Sequence, residues 1–278
     1  MDNLIQFIKN GLAEDIGPGD YSALACIPAN AKGKVALKVK EAGVLAGCQL
    51  AQEILKQYVV DYDYEPLMYD GQNMQPGDIA FTVTGATQKI LTAERLILNC
   101  MQRMSAIATI TRSFVDEIAG TQAKILDTRK TTPLCRTIEK WAVRIGGGYN
   151  HRFGLYDMIM IKDNHVDFCG GIEKAIDNVA NFQRANGLTL QVEIETRDIN
   201  QVKKVLAHGG INRIMLDNFN TVDLSEAVTL INNTYETEAS GGIKLHNVRS
   251  YALTGVNFIS VGALTHGVKS LDLSLKAV

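Results

Sequence analysis

Apolar and polar positions change rhythm partway along the chain. In residues 1–105, Leu4, Ile5, Ile8 and Leu12 recur at helical spacing, and a turn follows at Gly17-Pro18-Gly19-Asp20. Val35, Leu37 and Val39 then alternate with lysines, as a half-buried strand does. A second strand signal, Ile79 to Val83, comes after the Pro76-Gly77-Asp78 turn. From Thr92 to about Ala119 the pattern predicts a long helix, on which Arg95, Asn99 and Arg103 share one face.

The second half repeats a unit. Short runs end abruptly in polar residues or glycine: Lys124-Ile125-Leu126 into Asp127, Met158 to Ile161 into Lys162, and Leu190 to Ile194 into Glu195. The series continues with Ile214-Met215-Leu216 into Asp217, Thr237-Glu238-Ala239 into Ser240-Gly241-Gly242, and Phe258 to Val261 into Gly262. Amphipathic helical stretches lie between most of them, such as Ile199 to Ala207 and Leu224 to Ile231. From Lys162 through Glu195 and Asp217 to Ser240 the strand ends are 33, 22 and 23 residues apart. That period indicates a parallel sheet, and six such units favour a closed barrel over an open sheet. In a barrel the C-terminal strand ends carry the chemistry. Asp127 to Lys130, Lys162, Glu195, Asp217, Ser240 to Gly242 and Gly262 would then meet at one end.

Composition narrows the class. With 278 residues, 46% of them apolar, and a mean hydropathy near zero, the chain has material for one large domain or two modest ones. No apolar run approaches the roughly 20 residues that span a bilayer. Met1 to Asn10 has no signal-peptide core, so a cytoplasmic protein is expected. The five cysteines are scattered without a Cys-x-x-Cys pair, which argues against a zinc or disulfide framework and for free thiols.

Charge is distributed unevenly. Between Asp127 and His165 stand Arg129, Lys130, Arg136, Lys140, Arg144, Arg152 and Lys162 against Asp127, Glu139, Asp157 and Asp163, a balance of +3 in a chain of net charge −2. A cationic island in an acidic protein is a poor footprint for nucleic acid, which needs a broad basic face. It suits a small, highly charged anion held by converging donors. Ser240-Gly241-Gly242 and Gly262, at late strand ends, are placed to bind phosphate through backbone N–H groups. Glu195 and Asp217 could be an acid/base pair, could orient Mg²⁺ and sugar hydroxyls, or could pair with the cations; metal and ribose binding fits best beside a phosphate site. Lys162 could form a Schiff base, yet no nucleophile stands out, and a non-catalytic phosphate-sugar sensor would show the same residues. Fixed cations without an obvious base stabilise developing charge and position reactants.

Longer strings are more specific. Asp127-Thr128-Arg129-Lys130-Thr131-Thr132-Pro133, Gly146-Gly147-Gly148-Tyr149-Asn150-His151-Arg152 and Ile161-Lys162-Asp163-Asn164-His165 resemble the quinolinate phosphoribosyltransferase family, the decarboxylating nicotinate-nucleotide pyrophosphorylases of NAD biosynthesis. So do Glu14 to Asp20, Gln102-Arg103-Met104-Ser105, Val192-Glu193-Ile194-Glu195, Met215-Leu216-Asp217-Asn218, Glu238 to Gly242 and Gly262-Ala263-Leu264-Thr265-His266. The chain departs from the family at Leu134-Cys135, where glycine usually follows Thr-Thr-Pro, and at Ala106, where glycine usually follows serine.

The resemblance implies an N-terminal open α/β sandwich over 1–105, to which a tail from 268 to 278 returns, and an irregular (β/α) barrel over 106–267. It implies that quinolinate and phosphoribosyl pyrophosphate are joined with Mg²⁺ and without an organic cofactor, in a homodimer with shared sites. Arg129, His151, Arg152 and Lys162, with Thr128, would hold the quinolinate carboxylates. Lys130 would stand at the junction with pyrophosphate, and Arg103 would come from a neighbouring subunit. Glu195 and Asp217 would engage ribose hydroxyls and Mg²⁺, and Ser240, Gly241, Gly242, Gly262 and His266 would surround the 5-phosphate. Lys130, Lys162, Glu195 and Asp217 form the implied catalytic set.

Overall fold

The computed structural model describes residues 2–278. Its strands are, in chain order, β1 (Lys32–Val39), β2 (Gly43–Val44), β3 (Tyr62–Pro66), β4 (Asn73–Met74), β5 (Ile79–Ala86) and β6 (Lys124–Leu126). They continue as β7 (Ile159–Ile161), β8 (Val192–Thr196), β9 (Arg213–Asp217), β10 (Glu236–Ser240), β11 (Phe258–Ser260) and β12 (Leu273–Ala277). The chain gathers into two compact units. One holds the chain up to Arg112 with Thr131–Gly147 and Leu264–Val278; the other holds Ser113–Lys130 and Gly148–Ala263.

The first unit is built on an antiparallel sheet of order β12-β1-β5-β3. Val35, Leu37 and Val39 of β1 are buried while Lys34 and Lys38 face solvent, as the alternation requires. In register, Leu37 lies between Phe81 on β5 and Leu275 on β12, so the C-terminal residues complete the sheet that the N-terminal ones begin. The sequence pattern gave no sign of β3. It is an edge strand of sequence Tyr-Asp-Tyr-Glu-Pro, with one ring, Tyr64, against Phe81 at 4.9 Å. An edge strand tolerates that polarity and its terminal proline.

The long helix runs Thr87–Glu117, five residues earlier than the periodicity suggests. By contacts the first unit runs to Arg112 and takes in Thr131–Gly147, with its helix Arg136–Ile145. Close approach makes that placement specific: a Cβ on Gly146 would meet the Ala108 carbonyl of the long helix at 2.5 Å. In the same segment Leu134 has φ +65°, the left-handed backbone that glycine enters without cost. The chain therefore keeps a glycine conformation at a position where it has leucine.

The second unit is the barrel. All six strands are parallel, in the order β6-β11-β10-β9-β8-β7. From β7 to β11 neighbours in sequence are neighbours in space, and β11 returns to pair with β6, so the order is that of a ring. No ladder joins β6 to β7 among the described residues, an irregularity in keeping with the irregular barrel that the resemblance implies. The outer edge of β6 is taken by Tyr149, whose N–H donates to Ile125 O at 2.8 Å and whose carbonyl accepts the Asp127 N–H at 3.0 Å. Helices Asp163–Cys169, Ile172–Asn186, Ile199–His208, Thr221–Ile231 and Val248–Ala252 connect the strands. Asp198 and Asn220 start two of them by accepting backbone N–H groups two or three residues on.

Candidate active site

A cavity of about 450 Å³ opens among the C-terminal strand ends. Its walls include Thr128, Arg129 and Lys130 after β6, His151 and Arg152 after the Tyr149 bridge, Met160 and Lys162 from β7, and Glu195 from β8. Met215 and Asp217 of β9, Glu238 and Ser240 of β10 and Ser260 of β11 complete it. Every one of these residues belongs to the second unit. Nine of the residues expected from the sequence thus meet in one place, because parallel strands put all their C-terminal ends on the same side.

Lys162 caps the helix Asp163–Cys169 with its backbone and turns its ammonium to Glu195 Oε2 at 2.7 Å. Its backbone N–H donates to His165 Nδ1 at 2.9 Å, so His165 serves the turn rather than the cavity. Arg152 reaches the Met158 carbonyl with Nη1 at 3.2 Å. Burial, and then the positive charge of Arg129, hold the Arg152 pKa below its ordinary value. Asp217 accepts the Asn218 side-chain N–H at 2.6 Å. Met160 and Met215 supply apolar, polarisable surface between the charged groups.

The glycines at the strand ends set backbone direction. Gly241 and Gly242 have φ +94° and +63°, and the turn is fixed by the Asn218 N–H on Ser240 O at 2.8 Å. A Cβ on Gly241 would lie 3.0 Å from the Asn218 nitrogen. Gly262 begins a short 3-10 turn, Gly262–Leu264, and Val261 before it donates to Leu126 O at 2.9 Å.

Two expected residues stand in the other unit. His266 is exposed there. Arg103 donates to Glu139 Oε1 at 2.9 Å and to the Val268 carbonyl at 2.8 Å, and also to Thr265 O. Glu139 is wholly buried, so Arg103 is its counter-charge within the chain. Lys140, beside it on the helix, is also buried.

Beneath the cavity lie groups that the sequence reading passed over. Glu193 and Glu238 are wholly buried, and His151 Nε2 sits 3.0 Å from Glu193 Oε2 and 3.3 Å from Glu238 Oε2. Arg213 Nη1 donates to Glu238 Oε2 at 3.1 Å, and Nη2 to Glu236 at 2.9 Å. Asp127, also buried, accepts the His151 backbone N–H at 2.8 Å. Protons here belong to the group as a whole. Burial and the adjacent Glu238 drive Glu193 up to about 7. Burial pushes the His151 ring down, but Glu193 and Glu238 outweigh it and raise it to about 9. Glu238 is held low despite its burial by His151 and Arg213. The signal for these residues was the strand period: Glu193 is two before Glu195 and Glu238 two before Ser240, hence on the same inward face.

Comparison with known proteins adds a family to this geometry. The family model described as quinolinate phosphoribosyl transferase, C-terminal domain, matches residues 107–276, and its N-terminal counterpart matches residues 20–105. The chain is 46% identical to the chloroplastic nicotinate-nucleotide pyrophosphorylase [carboxylating] of Oryza sativa subsp. japonica, over 97% of this chain and 76% of that protein. It is 39% identical to a probable nicotinate-nucleotide pyrophosphorylase [carboxylating] of Bacillus subtilis, over 98% of this chain and 92% of that one. Among solved structures, NadC from Streptococcus pyogenes matches with a TM-score of 0.91 at 36% identity, covering 99% of this chain and 97% of that one.

Proposed function

The chain belongs to the quinolinate phosphoribosyl transferase family, and from that premise we propose how its own residues carry the reaction. The enzyme transfers the phosphoribosyl group of phosphoribosyl pyrophosphate to the ring nitrogen of quinolinate. Pyrophosphate and CO₂ leave, and nicotinate mononucleotide remains for NAD biosynthesis. The observation that carries our assignment is the single cavity in which Arg129, Lys130, Arg152 and Lys162 converge with Glu195, Asp217 and Ser240.

Arg129, Arg152 and Lys162 hold the two carboxylates of quinolinate, with Thr128 beside them and His151 in the cavity wall. A dianion relieves the repulsion between Arg129 and Arg152. The ring lies along Met160 and Met215. Lys130 stands toward the pyrophosphate, and Ser240 with the N–H groups of Gly241, Gly242 and Gly262 takes the 5-phosphate. Glu195 and Asp217 orient the ribose hydroxyls. Holding nitrogen and anomeric carbon in line can supply about 7–11 kcal/mol of the barrier. Once the nitrogen is quaternised, the adjacent carboxylate departs readily, because the electron pair left on carbon sits next to N⁺. No organic cofactor is required for that step.

Mg²⁺ fits the donor set. Glu195 and Asp217 are hard oxygen ligands on adjacent strands, and two carboxylates leave room for substrate oxygens and water, as this ion prefers. Glu195 and Asp217 would hold it with its waters, since Glu195 is already engaged by Lys162 at 2.7 Å. Bound there, the ion would neutralise the charge of the leaving pyrophosphate.

We assign a homodimer in which Arg103 serves the cavity of the neighbouring subunit. Two facts support it: the cavity draws all its walls from the second unit, and Arg103 belongs to the first. We place the enzyme in the cytoplasm, consistent with its five free cysteines; no helix among the described residues is long and apolar enough to cross a membrane. The test is product formation from quinolinate and phosphoribosyl pyrophosphate with and without Mg²⁺, following CO₂ and nicotinate mononucleotide. We expect Mg²⁺-dependent release of both, and little turnover of nicotinate. Equal turnover of nicotinate would overturn the assignment of the paired cations to two carboxylates.

A further inference from the structure

Lys162 stands at the start of the helix Asp163–Cys169, and that helix is poorly anchored by packing. It has seven residues, of which Val166 alone is buried, while Phe168 is 92% exposed. Short helices are fixed by the side chains they bury rather than by their own backbone bonds, so two turns with one apolar anchor are weakly held. Gly170 and Gly171 follow at φ +88° and +131°, and the helix therefore leads into glycine backbone rather than a stiff connection. At its other end the Lys162 N–H donates to His165 Nδ1 at 2.9 Å, a bond within the turn itself.

The end of β8 is the opposite case. All five of its residues are buried, and Thr196 Oγ1 donates to the Met215 carbonyl of β9 at 3.0 Å. Arg197 comes next, with its N–H on Gln201 Oε1 at 2.8 Å, just ahead of the helix cap Asp198. From this fixed base the Arg197 guanidinium reaches the helix. Its Nη2 lies 3.0 Å from Asp163 Oδ2 and 2.9 Å from Asp167 Oδ2. Asp163 and Asp167 are four residues apart on one helical face, so a single planar cation meets both. Lys162 and Asp163 on one segment thus pair with Glu195 and Arg197 on the other, the first contact at 2.7 Å and the second with its charges reversed.

We propose that Arg197 is a positioning residue: by clamping Asp163 and Asp167 it holds the helix so that the Lys162 ammonium stays at the cavity, ready for a quinolinate carboxylate. This deepens the function proposed above and rests on it. Arg197 does not line the cavity and acts through Lys162. A lone ion pair at such exposure holds little, because water screens it. Here one guanidinium meets two carboxylates, and a modest interaction decides the position of a helix that little else holds. Without the clamp the helix samples displaced states, and the apparent affinity for quinolinate falls by the fraction of enzyme in which Lys162 is in place.

Steady-state kinetics of the full-length enzyme test this with Arg197→Ala, Arg197→Lys, Asp167→Asn and the Arg197→Ala/Asp167→Asn double variant. We expect Arg197→Ala to raise the KM for quinolinate about fivefold, the combined effect of two partly exposed ion pairs, with kcat near wild type. The KM for phosphoribosyl pyrophosphate should stay within about twofold, because Glu195, Asp217 and Ser240 stand on strands. Arg197→Lys should recover part of the loss, since an ammonium is a point charge that cannot grip both carboxylates as a planar fork does. Asp167 stands a turn away from Lys162, so Asp167→Asn reaches the cavity only through the clamp. It should raise the quinolinate KM by a smaller factor, and the double variant should be no worse than Arg197→Ala. An unchanged quinolinate KM in Arg197→Ala, an equal rise in both KM values, or additive losses in the double variant would overturn the proposal. A role in the fold alone would lower the midpoint of urea unfolding and leave both KM values as they are, which also refutes it. Should Arg197→Ala not fold, Asp167→Asn decides by the same change in quinolinate KM. Wild-type turnover of quinolinate is the control, and its absence would sink the functional reading rather than this one.

Discussion

Arg213→Met tests whether the charged floor of the barrel behaves as the structure implies. The substitution keeps the aliphatic stem of the side chain but removes the guanidinium, which faces Glu238 at 3.1 Å and lies over the Phe258 ring at 4.0 Å. Glu238 has no exposed surface, so water cannot replace the lost partner. Removing one member of a buried pair costs about 3–5 kcal/mol. The Glu236 contact is a different matter, because that side chain is 54% exposed and such pairs are worth about 0–1 kcal/mol. Glu238 has one escape, which is to take up a proton. Its pKa is held low in the native protein by His151 and Arg213, and without Arg213 it rises. The native state of the variant then binds more protons than its unfolded state, so its stability must fall as pH increases. The loss should therefore be smallest near pH 5 and approach the full value near pH 8. Urea unfolding at both values measures it, with Glu236→Ala as the control that removes only the exposed contact. A loss below about 1 kcal/mol at pH 8, or an equal loss in the control, would show that the buried carboxylates do not depend on Arg213.

Two further outcomes follow from the site. Gly241→Ala puts a Cβ 3.0 Å from the Asn218 nitrogen at a residue with φ +94°, a strain of about 1–3 kcal/mol that must displace the turn after Ser240. It should raise the KM for phosphoribosyl pyrophosphate at least tenfold in steady-state assays while changing that for quinolinate little; the reverse pattern would remove the glycine turn from the phosphate site. Arg103→Ala should abolish activity, and mixing it with Arg152→Ala should restore part of it through mixed dimers. No recovery after confirmed subunit exchange would argue against a shared cavity.

The sequence by itself determined the strand rhythm of the second unit and the strand ends at which its charged residues fall. A strand period in the twenties, with each run ending in Asp127, Lys162, Glu195, Asp217 or Ser240, was enough to place those residues at one end of a parallel barrel, because parallel strands share a direction. Alternation around Leu37 likewise fixed a half-buried strand, since burial on one face demands period two. Other features were decided only when distant segments met. Strand β3 has no apolar alternation and forms because β5 offers it an edge. The gap between β6 and β7 exists because Tyr149 occupies the β6 edge, a long-range pairing that no local pattern encodes. Arg103 carries the same charge as the cavity cations, yet contacts place it, with His266, in the other unit. Glu193, Glu238 and Arg213 read singly as ordinary strand residues. What makes them a buried charged cluster with His151 is that three strands bring them together, in an interior where unpaired charge is too costly to persist.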